Sequence, residues 1–203
     1  MAPGKTVPAS DSRARLIAAA RELLWRNSYA SVSVDDLCKR AEVNKGSFYH
    51  HFPSKAELAT AAFEGMWEEM RPFLDGIFSP VVPALERFDR YCAAMVQVQT
   101  EKRAEHGCVI GCPFTNLGSE VGTQDDHLRQ LSVLKCQRSN LYFAAAIRDG
   151  QAAGQIPAGD PALLAAQVQA FVTGVATQAR IANDLAPFGH LAAGVRRLLG
   201  VPS

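Results

Sequence analysis

The sequence predicts an all-α protein of about nine helices, and three observations carry that reading. Apolar residues recur at the three- and four-residue spacing of a helix face from end to end of the 203-residue chain. Period-two alternation is rare and the β-branched residues are scattered, so nothing reads as a strand. Ser, Asp and Asn, the side chains that cap helices, stand just ahead of the periodic stretches.

Taken in order, the first helix is expected to start near Asp11 or Ser12 and to run to about Arg26, with Leu16, Ile17, Ala20, Leu23 and Leu24 on one face. Asn27-Ser28 ends it. Ser33 and Asp36 form a capping box that opens a short helix through Ala41. Asn44 caps a second short helix from Lys45 to about His51, which stops before Pro53 because a residue preceding proline is pushed out of helical geometry. Ser54 and Glu57 form another box, starting a long helix past Trp67 toward Phe73, where Pro72 should bend or end it. Pro80 and Pro83 introduce the next, with Leu85, Phe88, Cys92, Met95 and Val96 as its apolar face. The glycine-rich stretch 106–122 is the least regular, with a short helix from Pro113. Asp125 or Asp126 caps a long helix through Leu128, Leu131, Leu134, Leu141 and Tyr142 to about Gly150. Asp160-Pro161 starts another, and a last helix follows Pro187 to Leu199. Residues 1–10, rich in Pro, Ser and Gly, are expected to form a disordered arm.

Composition narrows the class. A hydrophobic content of 48% with 20% charged residues is ordinary for a soluble globular chain. No apolar run approaches the roughly 20 residues that span a bilayer, and Met1 to Ser10 lacks the apolar segment of a signal peptide. A cytoplasmic protein with no membrane partner is therefore expected. Cys38, Cys92, Cys108, Cys112 and Cys136 are odd in number, which argues for thiols over a disulfide framework. The net charge of +1 is unevenly spread: residues 1–60 hold nine Lys and Arg against six Asp and Glu, leaving twelve against fourteen for the rest. That sign suits an N-terminal head that faces nucleic acid.

The two short helices joined by Glu42-Val43-Asn44 have the length and turn of a helix-turn-helix, whose second helix enters the major groove. Val34, Leu37, Cys38, Val43, Phe48 and Phe52 supply a small core for it. Ser47, Tyr49 and His50 then point outward, with Lys45 at the start of the second helix, where its ammonium and the helix N-terminus both attract phosphate.

The segment from Ser31 to Lys55, including Val43-Asn44-Lys45-Gly46-Ser47-Phe48-Tyr49-His50-His51-Phe52, resembles the TetR family of repressors. The resemblance implies that Ser33, Lys45, Gly46, Ser47, Tyr49, His50 and Lys55 contact double-stranded operator DNA. It also implies a three-helix DNA-binding head over residues 11–53 and a larger helical ligand-binding and dimerisation domain over 54–203, whose last two long helices make a homodimer. One departure is Glu42, where the family usually has glycine; a left-handed backbone there costs a non-glycine residue about 1–2 kcal/mol. The helix after Asp160 carries Leu164, Val168, Phe171, Val172, Val175 and Ala179, more apolar surface than one internal face needs. Small residues Ala165, Ala176 and Ala182 would allow a partner's close approach.

A second similarity lies in Gly111-Cys112-Pro113-Phe114-Thr115-Asn116-Leu117-Gly118-Ser119-Glu120, which is similar to a segment in the ligand domain of one TetR branch, with Thr115 in place of a usual glycine. Some members of that branch sense electrophiles or oxidants through cysteine, which makes Cys112 either a cavity residue, a reactive thiol or a buried inert one. Phe63, Trp67, Tyr91, Met95, Phe114, Tyr142 and Phe171 are candidates to line a cavity for a small-molecule effector, and equally to fill a helical core. His106, Cys108 and Cys112 supply only three clustered ligands and no second Cys pair, so no metal is expected, and no cofactor. Neither a nucleophile elbow nor a glycine-rich phosphate loop is present, so no enzyme is expected. The reading is a ligand-responsive repressor; the alternative is a TetR-like DNA-binding protein that answers to a protein partner.

Overall fold

A computed structural model of the chain describes residues 12–202. Among them are nine α-helices and one 3-10 turn, with no strand. The helices are α1 (Ser12–Arg26), α2 (Val34–Ala41), α3 (Lys45–His51), α4 (Lys55–Ile77), α5 (Ala84–His106), α6 (Pro113–Val121), α7 (Asp126–Ala152), α8 (Pro161–Ala182) and α9 (Leu191–Leu198). The arm expected over residues 1–10, and Asp11 as a cap, lie outside the described residues.

Local chemistry sets most of the boundaries. The Ser33 and Asp36 box is complete, each side chain accepting the other residue's backbone N–H. Asn44 accepts the Ser47 N–H at 2.7 Å, and Ser54 accepts the Glu57 N–H at 3.1 Å. Asp125 and Asp160 cap α7 and α8. Pro72, expected to bend or end α4, sits inside a helix that continues to Ile77. The proline and Glu68, whose carbonyl loses its partner there, are both exposed, so water can serve the freed oxygen. Buried Leu74 and Ile77 hold the last turns in place.

The apolar face of α5 is largely the expected one, with Leu85 and Met95 packed against the core beside buried Phe88 and Cys92. Phe88, Tyr91, Cys92 and the polar Gln99 are buried, whereas Val96 is exposed. Tyr91 is drawn inward by an aromatic cluster with Phe78 and Phe143, its ring 5.1 Å from that of Phe143. Phe88 and Tyr142 complete the cluster, where the end of α4, α5 and α7 meet. Arg87 is as buried as its apolar neighbours, and each of its three guanidinium nitrogens has an acceptor. It donates to Asp149 at 2.6 Å, to the Val82 carbonyl at 2.7 Å and to the Pro80 carbonyl at 3.1 Å, tying the α4–α5 connection to α7.

The helices α7 and α8 pack along each other. Of the α8 residues expected to give it apolar surface beyond one internal face, Val168, Val172, Val175 and Ala179 are buried within the subunit, as are Ala165 and Ala176, two of the small residues expected at a partner's approach. Their spacing of three and four residues is that of the inner face, and α7, α9 and the 3-10 turn cover it. The outward stripe is instead Leu163, Ala166, Ala170, Gly174, Thr177 and Ile181, with Leu163 57% and Ile181 80% exposed. On α7, Leu134 and Leu141 are also exposed, the latter 71%.

Candidate functional site

The second short helix, α3, is held from behind. Phe48 is fully buried and Phe52, Leu37 and Cys38 are nearly so, forming the expected small core with Val34 and Val43 at its edge. That leaves Lys45, Gly46, Tyr49 and His50 exposed and Ser47 half-buried on the free side, with Ser33 exposed at the start of α2. Tyr49 is 55% exposed and meets only the edge of Phe48, at 5.1 Å, so its hydroxyl end is free to reach outward. Lys45 pairs with Asp35 at 2.8 Å on the open surface, and this partner raises the pKa of its ammonium. The backbone at Glu42 is left-handed, with φ of 53° and ψ of 48°, and this residue ends α2 with its N–H on the Cys38 and Lys39 carbonyls. The Arg15 guanidinium, 3.2 Å from the Glu42 carbonyl, braces the turn from α1.

Lys55 is not on the free side. Its ammonium donates to the Tyr29 and Val32 carbonyls, both at 2.9 Å, and lies 4.0 Å over the Tyr29 ring. Burial lowers its pKa, against the pull of Glu120. Two of its three donors are thus spent on the loop between α1 and α2.

From the other side the same loop is gripped by α6. The Glu120 carboxylate accepts the Ser28 hydroxyl, the Tyr29 N–H at 2.8 Å and the Ala30 N–H at 2.7 Å. Burial would raise the Glu120 pKa, but the Ser28, Ala30 and Tyr29 donors and Lys55 bring it below the usual glutamate range. At the opposite end of α6, the Gly111 carbonyl accepts the Trp25 indole N–H and the Gln99 amide, each at 3.1 Å. The short helix is therefore tied at one end to the loop after α1 and at the other, through Gly111, to Trp25 of α1. It also lies close on α7: a Cβ at Gly118 would come within 2.7 Å of Ser132.

Cys112 caps α6 without a Ser-like hydrogen bond of its own, and it is half-buried. Burial alone would raise its thiol pKa. The Lys135 ammonium, the Thr115 N–H and hydroxyl and the Phe114 N–H outweigh that and bring it below the ordinary cysteine value. Cys92 behaves oppositely, pushed up to about 12 by burial. All five cysteines are free thiols.

Beside this helix, between α4 and α7, lies a cavity of about 400 Å³ lined by Phe63, Trp67, Phe114, Leu131, Lys135 and Arg138, with Thr60 and His127 near its edge. Phe63 and Phe114 meet edge to face at 5.2 Å, and Arg138 lies 5.1 Å over Trp67. Of the expected cavity residues, Phe63, Trp67 and Phe114 come together here. Tyr91 and Tyr142 belong to the aromatic cluster, where Tyr142 donates to Asp75; Met95 packs on the core, and Phe171 packs against Gly194. A broader open groove of about 600 Å³ between α1 and α2 has a charged lining that includes Asp36, Lys39 and Arg40.

Comparison with known proteins decides the family. Residues 16–62 match the model for bacterial regulatory proteins of the tetR family, and residues 84–195 match that for the tetracyclin repressor-like C-terminal domain. The chain belongs to the TetR family of transcriptional regulators. It is 35% identical over 163 residues to the transcriptional regulator AcuR of Cereibacter sphaeroides, covering 77% of this chain and 71% of that protein. Similarity to the HTH-type transcriptional repressor NemR of Escherichia coli K12 is 24% over 194 residues, spanning 95% of this chain and 96% of NemR. Among solved structures, a regulatory protein TetR from Rhodobacter sphaeroides superposes with a TM-score of 0.81 at 30% identity, covering 92% of this chain and 98% of the other.

Within this TetR-family chain, sequence reasoning missed two residues. Glu120 stands inside the quoted Cys112 segment, yet its partners are some 90 positions earlier, so spacing alone carries no sign of them. Lys135 sits in the helical register of buried Leu128 and Ser132, and a lysine on that line was the available signal.

Proposed function

We propose that the chain is a ligand-responsive repressor that binds a palindromic operator as a homodimer and is released by a small apolar or electrophilic effector. The carrying observation is the free face of α3, where Lys45, Gly46, Ser47, Tyr49 and His50 stand together while Phe48 anchors the helix from behind. Ser33 adds a hydroxyl at the start of α2, and the remaining donor of Lys55 is available to a phosphate. Residues 11–53 act as the DNA-binding head and 54–203 as the effector and dimerisation body. The outward stripes of α7 and α8, small in the middle of α8 and apolar at its ends, suit a second copy, with the two recognition helices about one DNA turn, roughly 34–36 Å, apart.

Effector binding acts through α6. A ligand between α4 and α7, or an adduct on Cys112, displaces α6, and Glu120 and Gly111 pass the movement to the loop at residues 28–30 and to Trp25. An effector works only by favouring the displaced form. The cavity favours a small molecule over regulation by a protein partner.

The test is fluorescence anisotropy of the full chain on DNA flanking its own gene, titrated with salt. Specific binding that Tyr49→Ala and Lys45→Ala each weaken is the expected result. Binding that neither change affects would remove α3 from the interface.

A further inference from the structure

Lys135 is 8% exposed, in the middle of α7, and lines the cavity between α4 and α7. Among the described residues no carboxylate comes within ion-pair distance of its ammonium, and the ammonium has no hydrogen-bond acceptor. The side chain buries its stem and presents its ammonium to the cavity without a protein counter-charge, unlike Arg87, whose guanidinium is met by Asp149 and two carbonyls. The groups that face Lys135 from α5, α6 and α7 are weak acids, Tyr91, Cys112 and Cys136. They raise its pKa against the burial that lowers it, with Cys112 foremost. The one acidic side chain on the cavity's lining, Glu64, is exposed, and it makes no ion pair with Lys135. A second cation, Arg138, stands on the same wall over Trp67.

We infer that the effector is a small organic anion, a carboxylate on an apolar or aryl body, held with its charge on Lys135 and its body among Phe63, Trp67 and Phe114. This rests on the small-molecule reading above and narrows it, giving the apolar effector a charged end that Lys135 takes in place of an electrophilic group. The anion supplies the full counter-charge that the weak acids around Lys135 do not, so the site favours a charged ligand over its neutral twin. A volume of about 400 Å³ limits the body to roughly one ring, since ligand pockets begin near 300 Å³.

The experiment is calorimetric titration of the full chain with benzoate and phenylacetate, each against its neutral amide. Wild-type protein, Lys135→Met and Lys135→Arg are compared, with circular dichroism as the check on folding. Each carboxylate should bind wild type at least about ten-fold more tightly than its amide. Lys135→Met should abolish that preference while amide binding persists, and Lys135→Arg should keep it. Amides that bind wild type as tightly as the acids, or a preference that survives in Lys135→Met, would overturn the anion assignment and leave the small-molecule reading standing. Failure of all four probes to bind would overturn both.

Discussion

Two short helices, α3 and α6, are built alike and differ in how they acquire their chemistry. Each starts from a cap, Asn44 or Cys112, and each buries a phenylalanine, Phe48 or Phe114. What α3 offers is local: residues 45–50 supply both the anchor and the free face, and their partners lie within α2, α3 and the turn between them, as in the Lys45–Asp35 pair. Everything α6 does depends on distant residues. Glu120 reaches Ser28, Tyr29 and Ala30; Gly111 reaches Trp25; Cys112 is influenced by Lys135. A recognition surface can thus be written in one stretch of chain, whereas a coupling element is written as pairs that only folding brings together.

The sharpest way to break the comparison is to remove the anchor of each helix. Phe48→Ala, at a fully buried site, should cost about 3–5 kcal/mol in chemical denaturation and abolish DNA binding through loss of the head. A variant that keeps operator affinity would show that α3 does not depend on its own core. At the coupling end, Glu120→Gln should keep the fold and operator binding within a few-fold while losing most of the response to effector, read by anisotropy with and without ligand. An unchanged response would detach α6 from the signal.

Acidity sharpens the same point. The folded Glu120 has its pKa below the ordinary glutamate value, so its contribution is complete above the unfolded pKa and is lost as pH falls through the folded one. Acid denaturation of wild type should therefore be steeper below about pH 4.5 than that of Glu120→Gln. Coincident acid profiles would contradict the assignment.

A smaller effect is expected at Cys112. Removing the Lys135 charge in Lys135→Met raises the thiol pKa, so less thiolate is present at pH 7 and alkylation by iodoacetamide should slow several-fold. Mass spectrometry of the Cys112 peptide measures this, and an equal rate would show that Lys135 does not govern the thiol. The smallest change is at the exposed end of α3. Lys45→Ala should lower the slope of log affinity against log salt by about one and weaken all sequences alike. A sequence-dependent loss would make Lys45 a base contact.

How much was legible follows from these distances. The caps at Ser33, Asn44 and Asp160, a cap at Asp125 or Asp126 and the core of the head were readable because each rests on a spacing of a few residues, whereas the left-handed backbone at Glu42 was suggested only by the resemblance, in which glycine is usual there. On α5 the face was legible except at its edges: Val96 is exposed, and Gln99 is buried for a reason outside its helix, the paired bonds to the Gly111 N–H and carbonyl. The apolar surface of α8 was read as more than one internal face needs, whereas most of it lies on that face, because apolarity marks burial without saying against what. Among the cavity candidates, the sequence could not separate Phe63, Trp67 and Phe114 from Tyr91 and Tyr142, since aromatic residues look the same in a core and beside a void.

The central claim, that α6 carries events in the body to the head, is tested most directly by forcing α6 to move. In a Cys108→Ser, Cys136→Ser background, a maleimide adduct on Cys112 places a wedge at the start of α6 whatever the natural effector is. Operator affinity should fall at least about ten-fold on modification, a change of roughly 1.4 kcal/mol, and should fall far less when Glu120→Gln is also present. Equal losses with and without Glu120, or no loss at all, would contradict the account.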